Sequence, residues 1–119
     1  MFTCVIRYEV ELDKLEGFRA YARSWIELIE RYGGTHHGYF VPSTTTEGIP
    51  KAHFSFPGLG KAAPANIGYA LFSFPDLDSY EAYRANVAND PECQAATARF
   101  NAAPCFTGYE RTFLQPIFK

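Results

Sequence analysis

The run Ile67-Gly68-Tyr69-Ala70-Leu71-Phe72-Ser73-Phe74-Pro75-Asp76-Leu77-Asp78-Ser79-Tyr80-Glu81-Ala82-Tyr83-Arg84 passes from strand to turn to helix without a break. Ile67 to Phe74 is aromatic and aliphatic throughout, as a well-covered strand requires. Pro75 to Ser79 carries the proline and short polar side chains of a turn, and Asp76 or Asp78 can cap a helix that starts there. That helix presents Leu77, Tyr80, Tyr83, Arg84 and Val87, an apolar stripe that predicts packing against a sheet. Downstream, Asp90-Pro91-Glu92 is an N-cap, a proline at the first helical position and an acid in the first turn. A further helix is predicted to about Ala102, closed by Pro104.

Upstream, Thr3 to Val10 alternates Cys4, Ile6, Tyr8 and Val10 against Thr3, Val5, Arg7 and Glu9, which reads as a strand. Asp13 and Glu16 have the spacing of a capping box. Leu15, Phe18, Ala22, Trp25, Leu28, Ile29 and Tyr32 recur at helical intervals until Gly33. Thr35 to Val41 reads as a strand ended by Pro42. Phe106 to Pro116 reads as another, with Tyr109, Arg111 and Phe113 on one side and Glu110, Thr112 and Leu114 on the other. The order β-α-β-β-α-α-β, with two helical crossovers, predicts an α+β, ferredoxin-like four-stranded antiparallel sheet with its helices on one face, the last strand lying beside the first. Apolar residues on both sides of three strands predict that the helix-free face is covered as well, and a second copy of the chain is the natural cover.

The 119 residues fit one domain, 1–119, burying roughly two-thirds of its unfolded surface. A net charge of −2 and the lack of any Lys/Arg cluster argue against nucleic acid and against a membrane surface as partners. Cys4, Cys93 and Cys105 are odd in number and form no C-x-x-C pair, which fits free thiols in a reducing cytoplasm better than disulfides or a thiolate metal cage. Charges at Arg7 and Glu9 interrupt the apolar N-terminal stretch too early for a signal or a membrane span.

The segments Thr3-Cys4-Val5-Ile6-Arg7-Tyr8-Glu9, Gly38-Tyr39-Phe40, Ala70-Leu71-Phe72-Ser73-Phe74, Tyr80-Glu81-Ala82-Tyr83-Arg84 and Tyr109-Glu110-Arg111-Thr112-Phe113-Leu114 together resemble the NIPSNAP family, over nearly the whole chain. The resemblance implies a dimeric α/β barrel, in which two ferredoxin-like sheets pack face to face. Its wider superfamily includes cofactor-independent monooxygenases, haem-using enzymes and small-molecule isomerases or decarboxylating enzymes, among which fold does not choose. Residues 43–65 depart from the short hairpin expected of the family. They read as an insertion whose His53-Phe54-Ser55-Phe56 segment and Leu59 are too apolar for a solvated linker, and the expectation is docking at the cavity mouth or on the partner subunit.

No complete catalytic signature is present. Arg7 and Arg111 lie in otherwise apolar strands that the topology makes neighbours. A buried guanidinium needs a carboxylate, so the pair reads either as an anion-binding site or as structural partners of Glu9 and Glu110. His36 and His37 are adjacent on a strand and point to opposite faces, which disfavours a shared metal, and no metal site is expected. His37 with Tyr39 is the candidate acid/base pair, set against a solvent-exposed or structural histidine. Tyr8, Tyr69, Trp25 and Phe113 are candidate walls of a pocket for a small, partly apolar ligand, although most such aromatics serve the core.

The function these residues point to is a homodimer with a cavity for a small acidic or aromatic metabolite, without a bound cofactor. Alternatives are a cofactor-independent monooxygenase or isomerase-like enzyme, and a scaffold dimer with a filled interior. A haem-binding variant would need a histidine entering a wide cavity.

Overall fold

The computed structural model describes residues 1–42 and 64–118. Most of the expected insertion, 43–63, and with it the docking expectation for His53 to Phe56 and Leu59, lies outside the described residues. The elements are β1 (Phe2–Val10), α1 (Leu15–Arg31), β2 (Thr35–Phe40), β3 (Ile67–Phe74), α2 (Leu77–Val87), α3 (Pro91–Ala102) and β4 (Phe106–Leu114). The four strands form one antiparallel sheet in the order β2-β3-β1-β4, the ferredoxin-like arrangement.

Alternation along β1 decides what each face holds. Cys4, Ile6, Tyr8 and Val10 are buried beneath the helices together with Ala70, Phe72 and Phe74 of β3. Phe18, Leu28 and Ile29 of α1 and Tyr83 and Val87 of α2 close over them, so the helical stripes meet the apolar side of the sheet. Full burial of each such side chain stabilises by about 1.5–3 kcal/mol. The opposite face, with Val5, Arg7, Tyr69 and Leu71, carries no described helix.

Local chemistry explains most element ends. The Asp90 carboxylate accepts from the Glu92 N–H and that of Asp76 from the Ser79 N–H, as the sequence predicts for these two caps. The Asp13/Glu16 capping box does not form. A single 3₁₀ turn, Leu12–Lys14, precedes α1 instead, and no side chain caps either segment. Leu77 also departs from expectation, because it sits at the very start of α2 and is exposed rather than part of the buried stripe.

The end of α1 is sharp. Gly33, at φ +94°, takes the left-handed conformation that a side chain would strain. The N–H of Gly33 then reaches the Glu30 carbonyl while that of Gly34 reaches the Ile29 carbonyl, the two bonds of a Schellman motif. Gly34 has a second constraint: a Cβ there would come within 2.7 Å of Ile29 Cγ2 and 2.8 Å of the fully buried Phe74 ring.

One irregularity matters more than the rest. The β2–β3 register shifts between His36 and Gly38, so that His36 pairs with Phe72, Gly38 with Leu71 and Tyr39 with Ala70. Gly38, at φ +122°, makes this bulge possible. His36 and Tyr39 therefore both face the helices, and their rings stack at 5.0 Å.

Candidate functional site

Between the helical layer and the sheet lies a cavity of about 160 Å³. Its roof is built from Tyr21, Trp25 and Ile29, which the helix repeat sets in one row along α1, and from Tyr83, Arg84 and Val87 of α2. Its floor comes from all four strands: Ile6 and Tyr8 of β1, Tyr39 of β2, Phe72 of β3, and Phe106, Tyr109 and Arg111 of β4. Register explains the last of these, because Arg111 lies opposite Ile6 and Tyr109 opposite Tyr8, both helix-facing positions.

The residues singled out from sequence divide between the two sides of the sheet. Tyr8, Trp25, Tyr39 and Arg111 come together around the cavity. Arg7 and Tyr69 are direct partners in the β1–β3 register but lie on the helix-free face. Phe113 lies on the helix side, in an edge-on aromatic cluster with Phe2 and Tyr80, and does not line the cavity. His37 and Tyr39 do not share a surface. The bulge turns Tyr39 toward the helices, whereas His37 hydrogen-bonds through Nε2 to Ser73 Oγ at 2.7 Å, and Ser73 Oγ in turn lies 2.7 Å from Thr3 Oγ1. These three polar side chains form a short chain on the helix-free face. Arg7 and Arg111 likewise fall on opposite sides, since Arg7 pairs with Glu110 and Arg111 with Ile6. Among the described residues, neither arginine has a carboxylate within ion-pair distance.

Sequence alone does not single out Arg84 or Tyr109 as lining residues, nor does it place His36 beside Tyr39. The available signal was Gly38, since a glycine inside a strand pattern often marks a bulge, and a bulge at that point exchanges His37 for His36 beside Tyr39.

The cavity has a consistent electrostatic character. It is lined by two guanidinium groups, Arg84 and Arg111, and by no acidic side chain among the described residues. Burial pushes the phenols of Tyr8, Tyr21, Tyr39 and Tyr83 up. Neighbouring tyrosine hydroxyls add to the rise, and all four stay protonated across the physiological range. Burial also raises the Cys4 thiol to about 11 against the opposing pull of Arg111. Burial first, and His37 second, hold the His36 imidazole down to about 4. Trp25 Nε1, His36 Nε2 and Arg111 Nε are buried without a hydrogen-bond partner. Such orphaned polar atoms are rare in folded proteins; the side chains of Trp25 and Arg111 line the cavity, whereas His36 packs against Tyr39 and Phe72 and is not among its lining residues.

The donor set does not suit haem. The Gly38 N–H donates to His36 Nδ1 at 2.9 Å, whereas iron ligation through Nε2 would require the proton on Nδ1, where it would oppose that donor. No cluster of three or more metal-binding side chains occurs among the described residues. No described helix is long and apolar enough to cross a membrane.

The fold is a ferredoxin-like four-stranded antiparallel sheet with its helices on one face and an aromatic cavity beneath them. A family model described as NIPSNAP matches residues 59–118, half of the chain, and the chain belongs to the NIPSNAP family. No curated protein matches it. Among solved structures, a protein from Agrobacterium tumefaciens is similar at TM-score 0.69 and 17% identity, over 98% of this chain and 94% of that one. An uncharacterized NIPSNAP domain protein from Burkholderia xenovorans is similar at TM-score 0.66 and 22% identity, over 98% and 95%. SnoaB, a cofactor-independent oxygenase from Streptomyces nogalater, is similar at TM-score 0.53 and 15% identity, over 99% and 94%. At these identities the likeness is one of fold.

Proposed function

We propose that the chain acts as a homodimer, joined through the helix-free sheet faces, in which each protomer binds a small, partly apolar acidic or aromatic metabolite in its sheet–helix cavity. The observation that carries the reading is the cavity itself: aromatic walls, two guanidinium groups, no carboxylate among the described residues, and buried donors without acceptors. Aromatic walls contribute the apolar contact, and Arg111 supplies a charge-assisted anchor at the floor. A scaffold with a filled interior has no use for this open, donor-lined space.

The dimer reading rests on the partly buried Val5 and Leu71 and on the 41% exposed Tyr69 and 52% exposed Phe40, all on one side of the sheet. An unpaired apolar sheet face of this kind is best covered by its own copy.

Thermal-shift screening of small carboxylates tests the cavity. Aromatic acids should raise the melting temperature of the native protein, and Arg111→Ala should abolish the shift while Arg7→Ala keeps it. A panel that leaves the melting temperature unmoved defeats the reading. An enzymatic role, of the cofactor-independent oxygenase or isomerase kind, is the second reading. It draws on the fold likeness to SnoaB and on an interior suited to holding an anion. Oxygen uptake or product formation from a bound acid, lost in Arg111→Ala, would support it.

A further inference from the structure

Arg84 carries the inference furthest. It belongs to the roof of the cavity, on α2, whereas Arg111 belongs to the floor, on β4, so two different walls each contribute one guanidinium. Arg84 is exposed and Arg111 partly buried, which sets the first at the rim and the second deeper in. Nε of Arg111 is enclosed, and its guanidinium carbon lies 5.8 Å from the centre of the Tyr109 ring. The terminal amino groups of Arg111 are thus the part that can reach a ligand. Among the described residues, neither arginine has a carboxylate within ion-pair distance.

The two charges act on the same space. Burial pushes the Cys4 thiol and the Tyr83 phenol up, and in both groups Arg111 and Arg84 pull the other way. The lining therefore carries two positive charges and no negative one among the described residues. A single carboxylate can pair bidentately with only one guanidinium. The other then stays unpaired beside aromatic walls, where charge is screened less than in bulk water. A compact inorganic anion would have to bridge two walls and would leave the aromatic surface without contact. Two acidic groups on one ring satisfy both arginines and keep the apolar contact.

We propose that Arg84 is a specificity-determining residue that makes the cavity select aromatic dicarboxylates over monocarboxylates, with Arg111 holding one carboxylate at the floor and Arg84 the second at the rim. The inference rests on the cavity-binding reading above and adds to it the charge of the ligand.

Benzoate and the three benzenedicarboxylates share a ring and differ in the number and spacing of their acidic groups. In isothermal calorimetry of the native protein at pH 7, at least one dicarboxylate should bind about tenfold or more tightly than benzoate. Arg84→Gln exchanges an exposed side chain and should fold as the native protein by circular dichroism. It should bring that dicarboxylate to within about twofold of benzoate. Arg7→Gln removes a positive charge from the other face of the sheet and should keep the preference whole, which separates local contact from net charge. A preference that survives Arg84→Gln overturns the proposal, as does an equal loss in Arg7→Gln. Benzoate binding with no gain for any dicarboxylate overturns the selection while leaving the cavity reading intact, whereas binding of none of the four defeats both.

Discussion

The two faces of the same sheet solve opposite problems. The helix face buries Cys4, Ile6, Tyr8 and Val10 under two amphipathic helices and keeps a small donor-lined space in the middle of an aromatic layer. The helix-free face, built from the residues in between, exposes Tyr69 and Phe40 and leaves Leu71 and Arg7 partly buried, while Thr3 and Ser73 of the His37–Ser73–Thr3 chain are buried. A single strand feeds both faces, so a one-residue change of phase moves a side chain from the interior of the protomer to its outer surface. The bulge at Gly38 is such a change, confined to one strand.

Truncation should separate the faces most strongly. Phe74→Ala removes a fully buried ring from the helix face and should cost about 3–5 kcal/mol of folding free energy by urea titration. Leu71, three residues earlier in β3, faces the other way. Leu71→Asp should leave the protomer folded by circular dichroism yet convert the proposed dimer to monomer in light scattering. A variant that stays dimeric would move the interface to some other surface.

Gly38→Ala should have the next largest effect. At φ +122° a side chain is strained, at a cost of about 1–3 kcal/mol, and relief of that strain would undo the bulge. The readout is the His36 imidazole, whose nitrogen-15 signals should lose the fixed tautomer as the Gly38 N–H leaves Nδ1.

A smaller effect is expected on pH dependence. The folded pKa of His36, about 4, lies below the ordinary histidine value of 6.5. Between these values the unfolded chain binds the extra proton, so this contribution is complete above about pH 6.5 and is lost as pH falls toward 4. Comparing the pH–stability curves of the native protein and His36→Phe should show a shallower acid slope in the variant over that window. Curves of equal slope would mean that His36 is charged in the fold. The smallest effect belongs to Arg7→Ala. It should change protomer stability by no more than about 0.5 kcal/mol, because Arg7 has no ion-pair partner among the described residues.

The architecture was legible because each element carries its period in its own residues. The alternation of Thr3 to Val10, the helical repeat from Leu15 to Ile29, and the Asp76 and Asp90 caps are local signals, and each element formed within a residue or two of where they place it. The site was less legible because it depends on relations between elements. Nothing within Phe106–Leu114 says which of its two sides faces the helices, since Tyr109, Arg111 and Phe113 are as mixed as Glu110, Thr112 and Leu114. Only the pairing of Arg111 with Ile6 decides it, and that pairing separates Arg111 from Arg7. The exchange of His37 for His36 has the same origin, because strict alternation places His37 with Tyr39 and only an interruption of the strand reverses this. Trp25 was accessible from sequence because the helix repeat that aims it inward continues unbroken.

The three thiols give the chain a means of reporting its own opening. Cys4 sits in the middle of the sheet, Cys93 at the start of α3 and Cys105 just before β4, and all three are free and buried. Burial raises each thiol above its usual range and suppresses the reactive thiolate, so an alkylating reagent can modify them only when the surrounding structure parts. Labelling rates, separated by mass spectrometry of the three peptides, would then time the exposure of sheet centre, outer helix and β4 entry in the unmodified protein. Coincident rates would mean that these regions open as one unit, while early labelling at Cys93 would mean that α3 lifts away before the sheet yields.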